Sequence, residues 1–304
     1  MVGAGVVGLT CAVRLLEAGH RVDVVARDLP RETTSVVAAA LWYPYRALPQ
    51  DRVTAWSATT YAVLAALAAP AEYAGTPDAG VRMVPGTELL RRRQADPWWR
   101  SAVPGLVRER ELPPGFVDGW SFRTPVVEMP VYLDWLVARV AELGGTVTRL
   151  NLRSLPAGPD AVVNCSGLGA RLLGSDRSVV PVRGQVVYVA QPEGERRVER
   201  WSLDGSGPTY VVPRAHDVVV GGTDEEGEWS RTPSPDAAAD ILRRAVELEP
   251  RLRGARVLRH KVGLRPVRPA VRLERVGDVV HCYGHGGAGV TMSWGCADEV
   301  VALL

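Results

Sequence analysis

Gly3-Ala4-Gly5-Val6-Val7-Gly8 stands at the head of the chain, and its reading decides the fold. This G-x-G-x-x-G run leads into Leu9, Ala12, Val13, Leu15 and Leu16, apolar at helical spacing. Gly19 ends the predicted helix, and residues 21–26 read as a β-strand. The glycine spacing has a physical logic. The first permits a tight turn, the second lets backbone approach a pyrophosphate, and the third lets helix and strand pack closely. The helix N-terminus adds unpaired N–H donors and a partial positive charge. An acid is expected about 20 residues later to take ribose hydroxyls, and Asp28 stands there. Turn, helix, stop, strand and acid in register make this a dinucleotide-binding unit. Only Met1 and Val2 precede Gly3, where a strand of about 5 residues is expected, so the central strand is short or the start is clipped.

Outward from that unit, residues 33–40 are small and hydroxyl-rich, suited to close approach by a ligand. Residues 56–69 read as a helix, followed by short Pro/Gly-punctuated segments carrying Trp98, Trp99 and Trp120. A second amphipathic helix spans 132–143, ends at Gly144-Gly145 and gives way to a strand over 146–150. Residues 161–165 form a buried-strand pattern before Ser166-Gly167-Leu168-Gly169. Short β-like runs follow at 186–189, 210–212 and 218–220, then a helix over 236–249 and a helical run from Trp294. Doubly wound order near both ends with a β-rich middle predicts an α/β protein: a Rossmann-like nucleotide domain, discontinuous in sequence, with an inserted β-rich α+β substrate domain. The expected division is 1–46, 128–179 and 270–304 for the former, 47–127 and 180–269 for the latter.

A length of 304 residues suits two domains of roughly 150 residues or one large α/β unit. Hydrophobic residues at 46% and charged residues at 23% exclude disorder over most of the length. With 36 basic against 34 acidic side chains, nothing favours nucleic acid or a membrane surface as partner, and Arg91-Arg92-Arg93 reads as a solvated face. No apolar run reaches about 18 residues, and the apolar start lacks the basic head of a signal peptide. Cys11, Cys165, Cys282 and Cys296 share no metal-ligand or redox spacing. We therefore expect no metal site, and buried free thiols in a reducing cytoplasm.

Chemistry is concentrated late in the chain. In Gly263-Leu264-Arg265-Pro266-Val267-Arg268-Pro269 the prolines impose extended backbone, which would hold a guanidinium in one place. A fixed Arg is a bidentate receptor for a carboxylate, unless it faces solvent or pairs with Glu274. No G-x-S-x-G elbow, Walker lysine or EF-hand loop is present, so a cofactor carries any reaction and the protein positions the substrate.

Four segments then converge on one family. Residues 2–10, 37–45, 263–274 and 283–296, with Asn164-Cys165-Ser166-Gly167 and Arg183-Gly184-Gln185, resemble the flavin-dependent D-amino-acid oxidases, a family that includes D-aspartate oxidases. The resemblance spans most of the chain in order and implies FAD. By position, Gly3, Ala4, Gly5, Val6, Val7 and Gly8 would hold the pyrophosphate, with Arg27 and Asp28 at the adenosine ribose. Thr34, Ser35, Ala39, Ala40 and Leu41 would follow the path from phosphate to flavin, with Leu152 near adenine and Ser166 near the phosphates. Gly286, Gly287, Gly289, Val290 and Thr291 would line the flavin's pyrimidine edge, where the last helix would stabilise negative charge. Arg265 resembles the family's carboxylate clamp, itself beside the flavin, Tyr210 the phenol that supports it, and the Gly287 carbonyl the acceptor of the amino group.

The implied reaction is hydride transfer from a D-amino acid to flavin N5, with O2 as final acceptor and 2-oxo acid, ammonia and hydrogen peroxide as products. No side-chain acid or base is needed at the α-carbon. Residues 203–208 carry no aromatic where animal members have a lid tyrosine, which predicts an open site. Residues 201–203 offer no cation, favouring neutral or apolar D-amino acids, although Arg200 and Arg214 keep D-aspartate as an alternative. The chain ends without a peroxisomal tripeptide, which favours a bacterial cytoplasmic protein. A homodimer is compatible with this reading. Competing readings are an NAD(P)-dependent Rossmann dehydrogenase, a non-catalytic flavoprotein, and a glycine or L-amine oxidase of similar architecture.

Overall fold

The computed structural model describes residues 1–69, 78–158 and 160–304. In chain order the helices are α1 (Val6–Glu17), α2 (Gln50–Leu67), α3 (Met129–Glu142), α4 (Ala170–Leu173), α5 (Pro235–Leu248) and α6 (Gly289–Ala302). The strands are β1 (Asp23–Ala26), β2 (Val81–Leu90), β3 (Val107–Arg108), β4 (Asp118–Val127), β5 (Thr146–Arg149), β6 (Val162–Asn164) and β7 (Val180–Ala190). They continue with β8 (Trp201–Asp204), β9 (Tyr210–Pro213), β10 (Asp217–Gly221), β11 (Glu225–Glu226), β12 (Val257–Val276) and β13 (Val279–His285).

Val2 is the seam of the parallel sheet. It bridges Val25 of β1 on one side and Asn164 of β6 on the other, both in parallel. Its N–H donates to the Val163 carbonyl at 2.9 Å, and its carbonyl accepts from Cys165 at 2.8 Å. Beyond it, β1 pairs in parallel with β5, and β6 with β13. At this position the structure has Val2 alone as a bridging residue between the two strands. α1 starts directly after Gly5 and ends before Gly19, whose φ of +89° suits glycine.

An extended sheet runs β3-β4-β2-β8-β9-β10-β7-β12-β13-β6, with β11 added on β7. Its β2–β4 pair, in continuous register from Val81↔Val127 to Leu90↔Asp118, occupies sequence that reads as punctuated short segments. Gly86 breaks the strand pattern there because the Trp201 ring lies on it, 2.2 Å from where a Cβ would be. The part of that region at 70–77 lies outside the described residues. β12 pairs with β7 through Val267, and with β13 at Val267 and again from Arg272 onward, across an irregularity. Pro266 and Pro269 sit at this change of partner, where a missing N–H costs least. Arg265 is therefore held on β12 just before its partner changes from β7 to β13.

Two helices, α2 and α6, begin five or more residues earlier than their apolar spacing suggests. α2 starts at Gln50 behind Pro49, its first turn being polar. α6 starts at Gly289, not Trp294, because a glycine cluster reads as loop although it supplies the helix entry. α6 packs on α1 and α2. At Gly295 a Cβ would lie 2.3 Å from the Cα of Trp56, so only glycine permits that approach. Among the described residues no helix is long and apolar enough to cross a membrane.

Candidate active site

One elongated cavity of about 960 Å³ extends from Arg27 and Asp28, past the glycine turn, to Tyr210 and Arg265. That lies near the top of the roughly 300–1,000 Å³ range of small-molecule sites. Every site residue expected from the sequence lines it except Thr291. Thr291 stands behind the wall: its hydroxyl donates to the Tyr43 carbonyl and accepts from the Tyr43 N–H, both at 3.1 Å. It braces the cavity without facing it.

At the glycine turn, a Cβ on Gly8 would lie 2.0 Å from the Gly3 carbonyl oxygen, and one on Gly3 2.4 Å from that of Cys165. These two glycines permit packing. Gly5 differs, since a Cβ there meets only the Ser35 hydroxyl, and its backbone is left open to a ligand. Gly5 caps α1 with no side chain, while Ser35 accepts the Val6 N–H at 3.0 Å. Thr34 is tied through its hydroxyl to the Leu264 carbonyl at 3.0 Å, next to Arg265. Ser166 donates to Asn164 at 2.6 Å. Ala40 holds a φ of +57°, a costly conformation for alanine, in the wall between the two ends.

α6 likewise begins without a side-chain cap, and Gly289 and Val290 line the same cavity. Two positive helix ends thus open on one space, an arrangement suited to an anionic ligand. At the far end Asp28 accepts from Arg27 at 3.1 and 2.6 Å, and that guanidinium holds its carboxyl below the usual range.

The opposite end is built around Arg265. Its guanidinium lies on Gly184 of β7, where a Cβ would be 2.4 Å from Nη2. Nη1 donates to the Thr223 carbonyl at 3.0 Å and approaches Asp224 at 3.4 Å. Gly287 faces it, with Cβ space bounded by Tyr45 at 3.1 Å and Arg265 Cδ at 3.5 Å. Tyr210 rests on Gly221, and burial pushes its phenol up while Arg265 pulls the other way. Arg268, its neighbour in the Pro-rich run, turns instead to Asp176 at 2.9 Å, and Glu274 belongs to Arg272. Only one arginine of the run reaches the cavity.

Several residues escaped sequence reasoning. Tyr45 donates to Asp224 at 3.0 Å, and burial with that acid pushes its phenol up to about 12, so it stays a neutral donor. Tyr43 donates to the buried Glu88 at 2.8 Å. Their partners lie far away in sequence, which leaves no local signal. The cysteines behave similarly. All four are free and buried. Cys11, Cys165 and Cys282 place their sulfurs within 4.8 Å of one another, as do Cys282, Cys296 and His285 in ligand atoms. Arg214 is buried, with Nη2 donating to the carbonyls of Ala38 and Ala39, and Arg200 is exposed.

A short parallel sheet threaded by a glycine turn, two uncapped helix ends and a long cavity closed by an arginine define a dinucleotide-dependent oxidoreductase. Residues 1–303 match the DAO model, described as FAD dependent oxidoreductase, and the chain belongs to that family, with FAD as its cofactor. It is 53% identical to the D-amino-acid oxidase of Rubrobacter xylanophilus, with 100% of this chain and 94% of the relative aligned. Identity is 43% to the D-amino-acid oxidase of Streptomyces coelicolor and 41% to human D-aspartate oxidase, covering 100% of this chain and 95% and 93% of theirs. In fold it is similar to glycine oxidase from Bacillus cereus, with a TM-score of 0.83, 19% identity, and coverage of 99% and 95%. The NAD(P)-dependent reading is thereby set aside. The residues fit FAD: an open glycine backbone at one helix end, an acid beyond it, and a second helix end beside the arginine.

Proposed function

We propose that the protein oxidises neutral or apolar D-amino acids, releasing 2-oxo acid and ammonia after hydrolysis of the imino acid and reducing O2 to hydrogen peroxide. The observation that carries this reading is the single guanidinium of Arg265, pinned between Gly184, Thr223 and Gly287 at the end of the cavity. The glycine turn and the other cavity-lining residues would hold FAD, which would supply the hydride acceptor and the route of electrons to O2. Arg265 grips the α-carboxylate, and the Tyr210 hydroxyl adds a hydrogen bond to it. The Gly287 carbonyl accepts from the amino group. With both ends of the zwitterion fixed, the Cα–H bond of the D-enantiomer has one direction, whereas the L-enantiomer presents its side chain there.

No side chain within reach needs to act as acid or base. Gly207 and Pro208 line the cavity, and residues 203–208 carry no aromatic to close over it, which favours rapid product release. Arg214 is committed to backbone carbonyls, which weighs against the D-aspartate alternative. Under this reading the cavity lies between an FAD-binding portion (1–46, 128–179, 270–304) and a substrate-binding portion (47–127, 180–269). The test is a peroxide-coupled assay of the yellow holoenzyme over D- and L-amino acids, glycine and sarcosine. Peroxide from D-alanine and D-valine but not their L-forms supports the reading. Turnover on L-forms, or on glycine and sarcosine alone, overturns it.

A further inference from the structure

All four cysteines of the 304-residue chain meet at one place, although nothing in their spacing joins them. Cys11 comes from the buried face of α1, Cys165 directly follows β6, Cys282 lies on β13 and Cys296 on α6. The parallel pair Asn164↔His281 brings Cys165 beside Cys282 at the next step of both strands, and Cys11 completes the group from the helix. The sulfurs of Cys11, Cys165 and Cys282 lie within 4.8 Å of one another. Cys282, His285 and Cys296 form a second group around the shared Cys282, with His285 Nε2 3.9 Å from its sulfur. No disulfide joins any of them.

Thiols that only fill an apolar core need not gather, since each is a small hydrophobe that suits many core positions. Convergence of every thiol in the chain on one point is instead the arrangement of a ligand set. The donors choose the ion. Neither group contains a carboxylate, which disfavours hard cations that take oxygen ligands. Zn2+ in closed sites almost always takes four ligands, whereas only three sulfurs share a centre here. Soft thiolates without a fourth partner suit Cu(I). With bonds of about 2.3 Å, a trigonal ion sets its sulfurs about 4 Å apart, so the triad has to close by less than about 1 Å. Entry is open as well: Cys165, Cys282 and His285 line the cavity, whereas Cys11 and Cys296 are fully buried behind it.

We infer that Cys11, Cys165 and Cys282 bind one cuprous ion as a three-sulfur site at the root of the glycine turn. Each thiol gives up its proton as its sulfur bonds the metal, and no electron is transferred. The site touches the turn. A Cβ on Gly8 would lie 3.4 Å from that of Cys165, and the Cys165 N–H donates to the Val2 carbonyl at 2.8 Å. A bound ion thus staples α1 to the end of β6 and to β13, directly beneath the turn.

The experiment titrates purified holoenzyme with Cu(I) under anaerobic conditions, with bicinchoninate as competing chelator, and reads the bound ion by X-ray absorption. Wild type, Cys11→Ala, Cys282→Ala and Cys296→Ala are measured in parallel, with FAD content and circular dichroism as checks on folding. We expect one Cu(I) per chain in wild type, in a sulfur-only shell of three at about 2.3 Å. Cys11→Ala and Cys282→Ala should each lower the affinity about a hundredfold or more, and Cys296→Ala by less than about tenfold. Failure of wild type to take Cu(I) from the chelator, a shell of nitrogen or oxygen, or Zn2+ retained in preference to Cu(I) overturns the inference. So does a loss in Cys296→Ala as large as that in Cys11→Ala. If a variant is recovered unfolded, the stoichiometry and sulfur shell of wild type decide alone.

Discussion

Arg265 lies flat on Gly184, with Nη2 only 2.4 Å from the place a Cβ would take. The pair spans two strands in antiparallel register, where Gly184 is opposite Gly263 and Arg265 opposite Val182. The missing side chain on β7 is thus what lets the guanidinium reach the cavity at a fixed height. Position along one strand selects the arginine; absence of a methyl on the next orients it.

Gly184→Ala should displace the guanidinium while leaving the cofactor region intact. Overpacking of this kind costs about 1–3 kcal/mol, here taken from substrate binding. We expect KM for D-alanine to rise roughly tenfold to a hundredfold with FAD retained. Unchanged KM would show that the contact does not position the clamp.

Removal of the clamp itself should be more severe. Two charge-assisted hydrogen bonds at about 1.5–3 kcal/mol each predict a fall in kcat/KM of at least about a hundredfold for Arg265→Ala. Arg265→Lys should recover only part of it, because a point charge lacks the planar fork. Stopped-flow reduction of bound FAD under anaerobic conditions measures this directly.

Gly8→Ala tests the other end of the cavity. Its Cβ would meet the Gly3 carbonyl at 2.0 Å, forcing α1 away from the turn. The expected outcome is a folded protein purified largely without flavin absorbance. Stoichiometric FAD in this variant would contradict the assigned role of the turn.

Glu88 makes stability depend on pH. Burial pushes its carboxyl from 4.5 up to about 7, against the opposing Tyr43 hydrogen bond. For a raised group, the contribution is complete below the unfolded value of 4.5 and is lost as pH rises through about 7. Above that, the buried anion costs on the order of 3 kcal/mol. Glu88→Gln should therefore match wild type near pH 5 and exceed its Tm by roughly 5 °C at pH 8.5. Equal Tm differences at both pH values would refute this.

Much of the cofactor end is legible along the chain. The glycine turn, the helix after it, the strand and Asp28 are local features whose spacing reflects one ligand and one turn. Two misread elements contain a glycine that ordinarily breaks structure, each for its own reason. The Trp201 ring covers Gly86, and Gly289 opens α6 onto the cavity. The resemblance implies Thr291 at the flavin's pyrimidine edge, whereas its hydroxyl is engaged by the Tyr43 backbone.

By itself the amino-acid sequence determined a dinucleotide turn, a stiff arginine-bearing strand and the order of the elements, because each depends on residues within a few positions of one another. Tertiary structure alone decided that Arg265 and not Arg268 reaches the cavity, that Gly184 seats it, and that Asp224, more than forty residues away, stands beside it. Those are contacts between strands, set by register and sheet curvature, and no spacing along a single segment encodes them.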